Sequence, residues 1–163
     1  MSNIKVLSKK KNIALVAHDH RKADLLDWAA ANKETLAKHH LFATGTTGKM
    51  IEEALGLSIV KFFSGPLGGD QQIGSLIAEG KIDMIIFYWD PMNAQPHDTD
   101  VKALLRLSVT WNILLACDRT TADFIITSPF MENEYERIMP DYTDYLSRDI
   151  NETEEDFKKR TSK

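Results

Sequence analysis

A chain of 163 residues that is 43% apolar can bury one full hydrophobic core and is too short for two comfortable domains. Its net charge of −4, with no lysine and arginine stripe interleaved with aromatics, excludes a nucleic-acid surface. The single cysteine, Cys117, rules out an intrachain disulfide and points to a reducing, cytoplasmic setting; the longest continuous apolar run, 84–89, is far too short to cross a membrane.

Residues 1–11 read as a basic N-terminal extension, with three consecutive lysines and none of the apolar stretch of a signal peptide. A single domain is predicted over 12–148. Within it, apolar runs at 13–17, 41–43, 59–63, 84–89 and 113–117 alternate with helical patterns near 21–31, 48–56, 71–79, 101–111 and 120–127. The run Met84-Ile85-Ile86-Phe87-Tyr88-Trp89 lacks polar alternation, so both its faces are expected to be covered, as in an interior parallel strand. Repeated β–α units of this length predict an α/β fold, a parallel sheet with helices on both faces and right-handed crossovers. Residues 149–163 read as a charged tail. Glu154/Lys158, Glu155/Lys159 and Asp156/Arg160 are spaced for a solvated helix, and Phe157 is their one large apolar anchor.

In open parallel sheets, ligands bind beyond the carboxyl ends of the strands. The first predicted strand runs into His18-Asp19-His20, with Lys22 shortly after, and the second into Thr44-Gly45-Thr46-Thr47-Gly48. The third runs into Ser64-Gly65-Pro66-Leu67-Gly68-Gly69-Asp70, and the fourth into Asp90-Pro91 and then Pro96-His97-Asp98-Thr99-Asp100. A strand-to-helix connection needs one glycine; three of them beside a stiffening Pro66 suggest backbone amides brought close to an anion, next to a carboxylate.

Each feature also has a plainer reading. Thr44 to Gly48 suits a phosphate at a helix start, or equally a threonine cap with a glycine turn. It is not a P-loop, since two residues separate the glycines where four are needed and Met50 replaces the hydroxyl residue. Nor is there a Gly-x-Gly-x-x-Gly dinucleotide fingerprint. Asp70 is placed either to cap its helix or to act as a base. His97 lies in a loop among acids, with solvent exposure as the alternative to function. His18, Asp19, His97, Asp98 and Asp100 could be assembled into a metal site, but the set is dispersed and no Cys-x-x-Cys or His-Glu-x-x-His spacing supports it, so none is expected. His39-His40 read as surface residues at the opposite strand end, Cys117 reads as a core residue, and Ser64 lacks a nucleophile elbow.

Taken together, segments 13–20, 43–48, 64–72 and 96–106 closely resemble the methylglyoxal synthases, the resemblance covering about residues 12–146. It implies a doubly wound, three-layer α/β/α fold with a five-stranded parallel sheet. It also implies conversion of dihydroxyacetone phosphate to methylglyoxal and inorganic phosphate without cofactor or metal, a homohexamer, and inhibition by phosphate. By the same resemblance, Asp70 is the catalytic base and His97 touches the substrate oxygens and shuttles protons. His18, Lys22, Thr44, Gly45, Thr46, Thr47, Ser64 and Gly65 bind substrate, chiefly its phosphate, and Asp19, Asp90 and Asp100 match further polar positions of the site. The family's late arginine, linked to subunit communication, corresponds to Arg148 displaced by a residue. Two other functions remain open on these residues: a non-catalytic effector-binding domain of the same fold, and triose-phosphate isomerisation.

Overall fold

The computed structural model describes residues 3–147 together with 158, 159 and 161. Its centre is a five-stranded parallel sheet built of β2 (Asn12–Ala17), β3 (His40–Ala43), β4 (Ile59–Lys61), β5 (Met84–Tyr88) and β6 (Leu114–Ala116), in the order β4-β3-β2-β5-β6. The most apolar run occupies the interior, as its lack of alternation requires: all five residues of β5 are buried. β2 and β5 pair in parallel from Ile13 against Met84 to Ala17 against Tyr88.

Side chains alternate across this sheet and build two cores. Leu15 and Ile86 face one side, where they meet Leu25 and Trp28 of α1 (Lys22–Ala31), Ile51 of α3 (Gly45–Leu55) and Ile126 of α6 (Arg119–Ile126). Val16 and Phe87 face the other, against Ile73 and Ile77 of α4 (Gly69–Ala78) and Leu104 of α5 (Asp98–Thr110). The expected α/β/α layering is thus observed. Short helices α2 (Lys33–Leu36) and α7 (Thr143–Leu146) complete the α-helices of residues 3–147. No helix among the described residues is long and apolar enough to cross a membrane.

An antiparallel ribbon was not foreseen. β1 (Asn3–Leu7) pairs with β7 (Tyr135–Met139), tying the segment read as a basic extension to the far end of the domain. Its inward face includes Lys5 and Leu7, with the Lys5 ammonium donating to the Gly80 carbonyl, so charge rather than apolar alternation fills half of that face.

One expectation is corrected at the amino end of the sheet. His39 is buried, not a surface residue: its Nδ1 accepts the backbone N–H of Lys11 at 3.2 Å. Burial foremost holds its imidazole below the ordinary value of 6.5. The tail from 149 onward, apart from 158, 159 and 161, and Arg148 lie outside the described residues.

Candidate active site

The chain leaves β2 toward β3 and β4 on one side and returns through β5 and β6 on the other, so a crevice opens between the carboxyl ends of β2 and β5. His18 follows β2 directly, and its amide donates to the last carbonyl of β5, that of Tyr88, at 3.2 Å. The backbone N–H of Asp90, just beyond β5, donates to His18 Nδ1 at 3.2 Å. In a neutral ring the hydrogen therefore sits on Nε2, which is buried and has no hydrogen-bond partner. Burial, then the neighbouring His97, lowers the His18 pKa below 6.5, so near neutral pH the ring is an uncharged donor.

Lys22 opens α1, and its Nζ lies 2.5 Å from Asp19 Oδ1 and 2.8 Å from Thr46 Oγ1. The ammonium holds the Asp19 carboxyl below its usual range. Helix α3 begins at Gly45, three residues earlier than the pattern near 48–56 suggests. Thr44 takes the cap position, yet its hydroxyl approaches Thr47 Oγ1 at 3.4 Å instead of capping a helix amide. The first turn of α3 thus presents backbone donors near a lysine, an arrangement that favours an anion.

The glycine-rich loop works differently from the expectation. Residues Gly65–Leu67 form a tight helical turn, and the amides of Leu67, Gly68 and Gly69 are already occupied by the carbonyls of Ser64 and Gly65, each at 3.0 Å. Gly68 is needed for its backbone, with φ at +100°, and Gly69 for clearance, because a Cβ there would stand 2.0 Å from the Phe63 carbonyl oxygen. Of the three glycines, only Gly65 faces the cavity.

That tight turn decides against a capping role for Asp70. Gly68 holds the cap position of α4 and Asp70 is the second helical residue, so the capping alternative fails. Its carboxylate turns inward, 2% exposed, and its Oδ2 lies 2.8 Å from His97 Nδ1. His97 stands at the start of α5 and is largely buried, not solvated as the plain alternative had it. With Asp70 ionised, the hydrogen of His97 is on Nδ1 and its Nε2 is left as an acceptor. The His97 ring meets His18 edge-on, with centroids 5.5 Å apart. Asp100, in the first turn of α5, brings a carboxylate oxygen within 4.8 Å of ligand atoms of Asp70 and His97, a grouping that could hold a metal ion. The sequence spacing had given no sign of it.

These residues enclose a cavity of about 240 Å³. His18, Asp19, Lys22, Thr44 and Thr46 line one part, and Ser64, Gly65, Asp70 and His97 another. Gly45, Thr47, Asp90 and Asp100 are not in the lining, and the Asp90 backbone amide supports His18 from behind. Sequence reasoning missed Gln95, which lines the cavity while its amide donates to Asp98 Oδ2 at 3.1 Å. The signal was present in the sequence: an acid three residues later closes the loop on itself.

A buried carboxylate against an imidazole, a neutral N–H donor and a helix-start anion cradle suit proton abstraction beside a phosphate. Comparisons with known proteins agree. Residues 24–117 match the model of the MGS-like domain. Methylglyoxal synthase of Sodalis glossinidius (strain morsitans) is 56% identical over 146 residues, covering 90% of this chain and 95% of its own. That of Pseudoalteromonas atlantica is 58% identical over 134 residues, covering 82% and 99%. The crystal structure of methylglyoxal synthase from Elizabethkingia anophelis NUHP1 superposes with a TM-score of 0.87 at 59% identity, covering 91% of this chain and 97% of that one. Fold, rim chemistry and full-length similarity converge, and the chain belongs to the methylglyoxal synthase family.

Proposed function

We infer that the chain is a carbon–oxygen lyase that converts dihydroxyacetone phosphate to methylglyoxal and inorganic phosphate. The observation that carries this reading is the 98%-buried Asp70 carboxylate held 2.8 Å from His97 in the same cavity as Lys22 and Thr46. Asp70 takes a proton from the hydroxymethyl carbon and an enediolate forms. His18 Nε2–H donates to the developing oxyanion, where a donor in a water-poor site counts most, while His97 Nε2 accepts the proton of the neighbouring hydroxyl as phosphate leaves. The electrons then close a carbon–carbon double bond as the C–O bond to phosphate breaks, and the resulting enol takes up a proton at its methylene to give the dicarbonyl. Lys22, Thr44, Thr46, Ser64 and Gly65 hold the phosphate so that the breaking bond overlaps the enediolate π system, with Gly45 and Thr47 shaping the helix start behind them. Asp19 orients Lys22, the Asp90 amide orients His18, and Asp100 adds negative charge beside the base. An isomerase would reprotonate the same intermediate; the angle held at the phosphate separates the two outcomes.

The same reading includes a cytoplasmic homohexamer inhibited by its product phosphate. Phe63, Leu67 and Met92, all well exposed around the rim, are consistent with contacts between copies. Incubation with dihydroxyacetone phosphate, following free phosphate and dicarbonyl together, tests the assignment. Equal release of both is expected. Neither appearing would overturn it in favour of an effector-binding domain, and appearance of the isomeric triose phosphate alone would make the chain an isomerase.

A further inference from the structure

Beyond β5, residues 91–96 cross the carboxyl rim of the sheet with their polarity reversed. Pro91, Met92, Ala94 and Pro96 are exposed, Met92 at 92%, whereas the polar Gln95 is half-buried and lines the cavity that holds Asp70 and His97. Apolar side chains in water beside a polar one turned inward are the opposite of what burial favours, and such reversals gather at functional sites. Packing gives no reason for this one: among the described residues, the Gln95 carboxamide has no hydrogen-bond partner.

The backbone beneath that carboxamide is fixed. The Gln95 amide donates to Asp98 Oδ2 at 3.1 Å, and the Asp98 amide donates back to the Gln95 carbonyl at 3.2 Å. This reciprocal closure makes a single turn of Gln95 to Asp98, and the same turn carries His97, whose ring meets His18 edge-on. Gln95 thus belongs to the end of the cavity formed by the two imidazoles, not to the helix start that faces phosphate. Donors at that end are few. With Asp70 ionised, the Nδ1 hydrogen of His97 goes to the carboxylate and Nε2 is an acceptor. Lys22, Thr44, Thr46, Ser64 and Gly65 are engaged with the phosphate, which leaves His18 Nε2–H as a single donor to the oxyanion. Gln95 is the remaining cavity-lining side chain with N–H groups to offer.

We propose, on the lyase reading above, that the Gln95 carboxamide donates an N–H to the oxygen on the central carbon, as the second donor beside His18 Nε2–H. That oxygen carries the negative charge from the enediolate, through loss of phosphate, until the methylene is protonated. A donor held ready there stabilises every charged species along the path. Being uncharged, the carboxamide does this without tightening the hold on the phosphate that must leave.

Two substitutions in the full chain test this. Gln95→Leu keeps the size and the backbone turn but removes the donor, and Gln95→Glu keeps the shape but puts a negative charge in its place. With dihydroxyacetone phosphate, kcat should fall on the order of tenfold in Gln95→Leu. In Gln95→Glu it should fall on the order of a hundredfold, with the thermal midpoint unchanged in both. Calorimetry should show phosphoglycolate, whose carboxylate stands where the enediolate oxygens form, binding Gln95→Leu on the order of tenfold more weakly. Inorganic phosphate should bind it as it binds the wild type, a split that a merely structural role would not produce. Turnover or phosphoglycolate affinity of Gln95→Leu within about twofold of wild type overturns the proposal. Equal weakening of phosphoglycolate and phosphate overturns it too, and would place Gln95 at the phosphate. A wild-type chain that releases neither phosphate nor dicarbonyl defeats the lyase reading and this proposal with it; an active wild type with an unaffected Gln95→Leu defeats the proposal alone.

Discussion

A methyl group on Gly65 would stand 2.8 Å from His97 Cε1 and 3.2 Å from Asp70 Oδ2, the two groups that must stay in contact. Gly65→Ala therefore displaces the imidazole while touching no core residue. We expect kcat to fall by on the order of 10²-fold with the thermal midpoint nearly unchanged, measurable by product assay beside calorimetry. Asp70→Asn isolates the base itself. Because Gly68 holds the cap, stability should change little, whereas kcat should fall by on the order of 10²- to 10⁴-fold. Exchange of the substrate's hydroxymethyl proton with solvent deuterium should vanish in parallel; near-normal turnover in a folded variant would end the mechanism. His18 and His39 are both depressed below 6.5 by burial, so below that pH the unfolded chain binds more protons than the folded one. Stability should be flat above 6.5 and fall as the pH drops through 6.5 toward the folded values. Urea midpoints against pH will display the slope, and His39→Gln should flatten part of it.

Elements position these residues by packing. β5 lies between β2 and β6, with Ile86 1% exposed in one core and Phe87 fully buried in the other. Ile86→Ala should cost about 2–5 kcal/mol by denaturant unfolding, since neither helix layer can collapse onto the gap without disturbing the strand ends that carry His18 and Asp90. The interior strand β5 was legible because its apolar run lacks alternation, the pattern that two covered faces demand, and the others because short apolar runs recur between helical patterns, although at the edges Val60 is 54% and Leu114 41% exposed. The ribbon was not, because Lys5 and Arg137 occupy inward positions where pattern reading expects apolar side chains. His39 escaped for a similar reason: its burial depends on a backbone amide that arrives from residue 11, across the sheet.

For the molecule as a whole, every residue lining the candidate active site falls between Val16 and His97, remote in sequence from the tail. Removal of 151–163, whose opposite charges are spaced i,i+4 in sequence around one large apolar residue, should leave turnover of the folded chain within about twofold. A large loss in the truncated chain would show that the tail reaches the site. The sequence alone determined the α/β class and the set of polar residues at the strand ends, because hydrophobic patterning and loop chemistry are local properties. It could not decide whether Asp70 caps its helix, or whether His97 faces solvent. Those depended on where a glycine at φ +100° sends the chain and on the contact it creates across 27 residues. The same holds for the tautomer of His18, assigned by an amide 72 positions away. Such facts live in the packing of distant segments, and only the folded chain brings those segments together.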